Sequence, residues 1–339
     1  MTGSLLVSAF LAVAASAAEP ADAELAAVID LFYDLRFDDA LAAARRFEAA
    51  HPGHPAGPFY AGVVRFQEFL AEDARSTAAL AAFEAELARA IAAAEAWLPA
   101  VPSIGHYYLG AAHGFRARAL VAQTSRLAAL GSARRGVKHL KRALALDPGL
   151  EDARLGLGMY EYYIARAPAL ARPLTFAALG LWGSRRRGLE HLARVAERGG
   201  AARMEARSIL SAIYASEREG RWQEAEALLG PLVERYPGNP LYRLRRAYVT
   251  LRRGAWWEAA AVADPEGAWL GSVPPALRER ARAAALYRAA EGELLAGRHN
   301  EAAAFLAKLE GLTLPEGLAL WVDRRKAEAL AGKVQDGTV

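Results

Sequence analysis

The sequence predicts an all-α chain: a row of stacked antiparallel helix pairs with a longer, insertion-bearing middle section. Three observations carry that expectation. Apolar residues fill 54% of the 339 positions, largely through alanine, the best helix former and a poor strand former. No run of alternating β-branched residues and no Asn-Gly hairpin signal interrupts the pattern. A turn signature also recurs: Gly-Arg-Trp-Gln-Glu-Ala at Gly220–Ala225, Gly-Ala-Trp-Trp-Glu-Ala at Gly254–Ala259 and Gly-Arg-His-Asn-Glu-Ala at Gly297–Ala302. Glycine permits the tight turn, the aromatic packs over it and alanine lets neighbouring helices approach. Stacking is required. Ordering the backbone costs roughly 1–2 kcal/mol per residue, whereas burying a Leu or Phe returns only about 1.5–3 kcal/mol. A lone helix pair buries too little to stand by itself.

In chain order, Leu5–Ala15 is an apolar run, and Ala15-Ser16-Ala17 is a small-residue cleavage site. Residues 1–17 therefore read as a signal peptide, although Met1–Ser4 supplies no Lys or Arg. The mature array is expected over 18–335. Asp22–Tyr33 and Phe37–Ala50 form the first pair. The segment His51-Pro-Gly-His-Pro55 reads as a solvated turn; its two histidines have no carboxylate or third ligand near them in sequence. Phe59–Leu70 and Ser76–Leu98 follow. His106–Leu130 is expected as one long helix, with His106 and His113 on one face in a packing or capping role.

The stretch Gly136–Tyr163 turns at Asp147-Pro148-Gly149. Val137, Leu140, Ala143 and Leu144 recur at helical spacing before the proline, and Glu151 and Asp152 suit the first turn of the next helix. Gly156 and Gly158 inside that helix predict close approach by a neighbour, because an interior glycine costs roughly 1 kcal/mol against alanine. Residues 165–183 read as an apolar insertion broken by Pro168 and Pro173. Ser184–Arg198, Met204–Glu219, Arg221–Tyr236, Pro240–Arg253, Ala255–Val262, Leu277–Leu295 and His299–Leu309 continue the pairs. Among these, Ala255–Val262 breaks early, at Asp264-Pro265, and a capping helix over 316–333 closes the array.

Gly136, Leu140, Ala143, Pro148, Leu157 and Gly158 resemble a tetratricopeptide (TPR) repeat boundary, so the fold class expected is a TPR-like α-solenoid. The order Tyr-Tyr-Leu-Gly, Arg-Arg-Gly-x-x-His-Leu, Asp-Pro and Leu-Gly-x-Gly-x-Tyr-x-Tyr-Tyr over Tyr107–Pro240 resembles a group of bacterial exported TPR proteins whose role is not established. In such repeats the first helices line a concave surface. Carried over by position, that resemblance implies groove residues Phe32, Tyr33, Leu155, Met159, Tyr162, Tyr163, Leu210, Tyr214, Arg218, Leu244, Tyr248, Arg252, Tyr287 and Glu291. Tyrosine and arginine are hot-spot residues because they combine contact area with a polar tip. Two adjacent tyrosines, Tyr162 and Tyr163, cannot both enter one core, which makes them the leading pair.

The expected function is an exported scaffold, in the periplasm or on the exterior of a bacterium, that binds a protein or peptide segment. The alternative is a peripheral membrane scaffold using Phe176, Leu179, Leu181 and Trp182, with Arg185, Arg186 and Arg187 against anionic lipid. The chain is expected to be no enzyme and to carry no cofactor or metal. It shows no nucleophile elbow, Walker loop, His-Glu-x-x-His helix or dinucleotide fingerprint, and no cysteine. A dispersed net charge of +4 argues against a nucleic-acid surface.

Overall fold

A computed structural model describes residues 23–71, 76–166 and 183–312, and, near the C-terminus, 314, 322–326, 328–329 and 332. The leader expected at 1–17, nearly all of the insertion expected at 165–183 and most of the capping helix expected at 316–333 lie outside them. Among the described residues every regular element is helical. The chain groups into two compact units, Met1–Phe32 with Arg36–Ala206, and Tyr33–Leu35 with Arg207–Val339.

The first unit runs α1 (23–33), α2 (Phe37–Ala50), α3 (Ala56–Ala71), α4 (Thr77–Trp97), α5 (Pro102–Ala122), α6 (Arg126–Leu146), α7 (Ala153–Ala165) and α8 (Arg185–Arg198). The unit boundary falls inside α9 (Arg203–Tyr214). The second unit continues with α10 (Trp222–Arg235), α11 (Pro240–Arg252), a 3-10 turn (Trp256–Glu258), α12 (Ala259–Ala263), a second 3-10 turn (Ala268–Gly271), α13 (Pro275–Leu295) and α14 (His299–Ala307). Consecutive helices pair, as α3 with α4, α5 with α6, α7 with α8 and α13 with α14. Alternate helices also touch: α5 meets α3 and α7, and α11 meets α13. Two layers result, as the TPR-like reading expects.

The recurring signature marks one repeated turn. Gly220, Gly254 and Gly297 have φ of 59°, 83° and 75°, and the same left-handed backbone occurs at Leu35 (62°) and Thr124 (63°). At four of these five turns the following amide reaches a carbonyl five residues back: Arg36 N to Leu31 O, Ser125 N to Leu120 O, Ala255 N to Thr250 O and Arg298 N to Glu293 O, at 2.8–3.2 Å. That bond closes a Schellman-type helix end. Five residues after each turn stands an alanine, namely Ala40, Ala129, Ala225, Ala259 and Ala302, and all five are buried at 0–4% exposure. At Ala259 a neighbouring helix comes close enough that a Cβ on Gly292 of α13 would lie 2.8 Å from the alanine Cβ.

This turn corrects one expected element. His106–Leu130 is not a single helix: α5 ends at Ala122 and α6 starts at Arg126. The break was hidden because Thr124, not glycine, takes the left-handed position. A left-handed backbone costs a β-branched residue roughly 1–2 kcal/mol, and Thr124 is exposed. Thr124→Gly is therefore expected to stabilise the α5–α6 pair by about 0.5–1 kcal/mol after the entropy of glycine is subtracted. Slower amide exchange in the last turn of α5 measures it; faster exchange would contradict the strain argument.

The glycines of α7 behave as their positions predicted. A Cβ on Gly158 would lie 2.9 Å from Gly188 O, and one on Gly156 would lie 2.5 Å from Leu140 Cδ1. Helix α7 is pressed between α6 and α8 at those two residues. An ion-pair ring ties α2 to α4. Arg45 donates to Glu48 (3.0 Å) and to Glu86, and Arg89 donates to Glu86 (2.7 Å) and to Glu48. Glu86 is buried beneath these two arginines.

Candidate protein-interaction site

Helix α11 carries the centre of the site. It begins with Pro240, whose missing N–H costs nothing at a first helical position, and Asn239 Oδ1 accepts from Leu241 N at 3.1 Å. At 3.6 residues per turn, Tyr248, Leu251 and Arg252 share one face, and Arg243 and Arg246 lie on the opposite one. On the first face Tyr248 Oη donates to Glu217 Oε1 at 2.7 Å, and Arg252 Nη2 donates to Glu217 Oε2 at 2.5 Å. One carboxylate thus holds both side chains.

The surroundings alternate aromatic rings with guanidinium groups. Arg252 lies 5.3 Å over Trp222, whose ring meets Tyr248 edge-on at 6.1 Å, and Arg288 lies 5.1 Å over Tyr248. Arg288 donates to Glu291 Oε2 at 2.6 Å, and Arg325 donates to Glu291 Oε1 at 3.0 Å. Glu217, Tyr248, Arg252, Trp256 and Glu291, with Leu251, Gly254 and Leu295, line an open cavity of about 470 Å³. Trp256 and Leu295 remain exposed there, at 39% and 44%. Burial, then the hydrogen bond and charge of Glu217, pushes the Tyr248 phenol up to about 12, against Arg252 and Arg288. At neutral pH it stays protonated and donates. The Arg252–Glu217 pair is exposed, and such pairs contribute only about 0–1 kcal/mol. An incoming acceptor can replace Glu217 on Arg252 at little cost.

The expected groove residues divide. Tyr248, Arg252 and Glu291 meet at this cavity. Leu244 is half-buried against the core of Ala247, Ala263 and Trp269, and Arg218 is exposed. Tyr33 is half-buried, with its ring 5.6 Å from Tyr236. In the first unit Leu155 and Met159 are half-buried and Tyr163 is 54% exposed. Five others are corrected, because the fold buries them: Phe32, Tyr162, Leu210, Tyr214 and Tyr287. Tyr162 has no exposed surface, and its hydroxyl accepts from Arg166 at 2.6 Å. Tyr214 lies under Arg221, 3.8 Å from its ring, and Tyr287 sits in the core with Leu286, Leu306 and Val322. Position within a repeat gave the expectation of which helix lines a groove; the depth of packing between neighbours decides which side chain stays open.

The alternative membrane patch is only partly described. Phe176, Leu179, Leu181 and Trp182 lie outside the described residues. Arg185, Arg186 and Arg187 are exposed at the start of α8, where Arg186 pairs with Glu190 (2.6 Å) and Arg187 with Glu161 (3.1 Å). Among the described residues no helix is long and apolar enough to cross a membrane.

Four histidines of the first unit pack against neighbouring rings. His54 is packed at 4.5 Å against Trp97 and accepts from Ala56 N at 3.1 Å, so it is less solvated than its turn suggested. His106 Nδ1 meets His139 Nδ1 at 2.9 Å, and His113 stacks on His139 at 6.0 Å. Among the described residues no group of three His, Asp or Glu side chains is placed to hold a metal.

Sequence reasoning missed Glu217, Trp222 and Arg288 as parts of the site. The doubled Trp256-Trp257, where the other two signature copies carry only Trp222 or His299, was the available signal. In the first unit Tyr60 and Tyr107 keep some open surface; burial, then Tyr108, Asp152 and Glu205 for Tyr60 and Tyr60, Asp152, Tyr108 and Glu205 for Tyr107, holds their phenols far above the ordinary value.

No family model matches the chain, and no curated protein matches it. A thermophilic TPR protein of Thermus thermophilus is similar in structure, with 19% identity over 68% of this chain and 99% of that one, at a TM-score of 0.39. A tetratricopeptide repeat protein of Parabacteroides merdae is similar with 13% identity over 92% of this chain and 99% of that one, at a TM-score of 0.34.

Proposed function

We propose that this chain of TPR-like helix pairs is an interaction scaffold that grips a protein or peptide segment in the cavity built on Tyr248 and Arg252. The supporting observation is convergence: Tyr248, Arg252 and Trp256 enclose an open space with an apolar floor of Leu251 and Leu295 and a polar rim of Glu217 and Glu291. That is the anatomy of a hot spot, an aromatic and arginine centre around which water is excluded. Tyr248 is pre-positioned by Glu217 and Arg288, so ordering it on binding costs little. An exported location belongs to the same proposal and rests on residues 1–17.

A photoreactive phenylalanine at Trp256 tests it in cells. Covalent adducts with a partner are expected in the periplasmic fraction. The double variant Tyr248→Ala, Arg252→Ala should lower their yield by about tenfold, the effect of losing roughly 1.4 kcal/mol. Adducts unaffected by the double variant, or confined to the cytoplasm, would count against the respective half of the proposal.

A further inference from the structure

The opposite face of α11 holds a second cavity, and its origin is a shortened helix. The second helix of the preceding pair, α10, runs 14 residues. Its counterpart α12 runs only five, because Asp264 takes a left-handed backbone (φ 43°) directly before Pro265. The missing turns leave a notch of about 430 Å³ between Val233 of α10 and Ala261 and Val262 of α12. Arg243 and Arg246 line it from α11, and Trp257 and Glu258 stand at its lip.

The charges around the notch are unequally matched. Arg246 Nε donates to Glu226 Oε1 at 2.7 Å, and Glu258 turns to Arg253 at 3.6 Å. Arg243 gives one N–H to Val262 O at 3.2 Å and lies 5.1 Å over Trp269, but forms no ion pair among the described residues. Burial, and then Arg246, holds its pKa below the ordinary value, with Asp264 only partly opposing burial. A half-buried guanidinium without an ion pair is stabilised by any carboxylate that reaches it. Trp257 beside it is 61% exposed, the most exposed large aromatic among the described residues. An indole left in water next to a charged notch is suited to covering an apolar side chain of a ligand.

We propose that this notch is a second docking site, separate from the Tyr248 cavity. It takes an acidic segment of a partner protein, with a carboxylate on Arg243 and Arg246 and a neighbouring apolar side chain against Trp257. Charge complementarity selects the occupant: Arg243 forms no ion pair among the described residues, Arg246 is shared with Glu226 outside the lining, and the one anion on the lining, Glu258, is drawn toward Arg253. The two sites share α11, so one helix would link two bound segments from opposite faces.

Fluorotryptophan labelling of the full chain gives each indole its own fluorine resonance, and Trp257→Phe assigns that of Trp257. The probe is the blocked peptide Glu-Phe-Glu-Leu-Glu, compared with Gln-Phe-Gln-Leu-Gln. The acidic peptide is expected to shift the Trp257 resonance saturably. Binding should weaken about tenfold for the glutamine peptide, and about tenfold for the acidic peptide with Arg243→Gln or Arg246→Gln. The Trp269 resonance reports whether Arg243→Gln and Arg246→Gln keep the fold. The absence of a saturable shift, equal binding of the two peptides, or wild-type binding by both arginine variants overturns the proposal. Binding lost only in the Tyr248→Ala, Arg252→Ala variant places the peptide in the other cavity, which overturns this site and leaves the earlier reading intact.

Discussion

Tyr162→Ala is expected to destabilise the α7–α8 pair by about 3–5 kcal/mol, whereas Tyr163→Ala one residue later should change it by less than about 1 kcal/mol. The contrast follows from burial. Tyr162 is 0% exposed and Tyr163 is 54% exposed, although their rings meet edge-on at 5.4 Å. Helix α8 presses on Tyr162 at its closest point: a Cβ on Gly188 would lie 2.7 Å from Tyr162 N and 2.9 Å from Tyr162 Cβ. Two backbones this close cannot collapse further to fill the space of a lost phenol, so the cavity term is kept in full. Arg166, which donates to the hydroxyl at 2.6 Å and lies 5.2 Å from the ring, would lose both contacts. Tyr162→Phe removes only the hydroxyl and should cost about 1–2 kcal/mol. Hydrogen exchange of α7 and α8 amides measures the local free energy, which suits a chain of two units better than one global melt. Equal effects at the two tyrosines would refute the packing described here.

Acid should loosen the first unit well before its carboxylates titrate. His113 and His54 are lowered to about 4, each mainly by burial, then by Arg135 and Arg116 for His113 and by His51 for His54. His106 and His139 are also lowered, by burial first, then by Arg142 for His106 and by His106 and Lys138 for His139, with Glu95 opposing at His139. A histidine whose folded pKa lies below its unfolded value near 6.5 binds fewer protons when folded. Its contribution is complete above pH ~6.5 and is lost as pH falls toward ~4. All four side chains are partly open, so solvent screening limits the loss to on the order of 1 kcal/mol for each of His113 and His54. Asp152 works in the opposite sense, because burial raises its pKa, although backbone amides at Gly200, Ala201 and Ala202 counter that. Urea midpoints between pH 7 and 4.5 are expected to fall, and to fall less steeply in His113→Gln. A midpoint independent of pH over that range would show that the α5–α6 seam hydrates when it is charged.

Much of the architecture was readable from residue type alone. The signature at Gly220, Gly254 and Gly297 announced its turns because only glycine takes φ near +60 to +80° without strain, and the alanine five residues on announced a buried position. Leu35 and Thr124 make the same turn without announcing it, since backbone closure there is imposed by the packing of the flanking helices. At the cavity, Tyr248, Arg252 and Glu291 were already among the groove positions expected of first helices. Glu217 was not, because it stands in the turn after α9, where no periodicity applies.

By itself the sequence determined the helical class and the pairing of helices, because these follow from local backbone preference and the spacing of apolar residues. Only the tertiary structure decided which of the expected groove tyrosines stays exposed and which is a core residue. Tyr162 and Tyr163 are chemically identical and adjacent, yet Gly188 lets α8 close over the first and not over the second. Exposure depends on how near a second backbone comes, and that distance is set by residues far away in the chain.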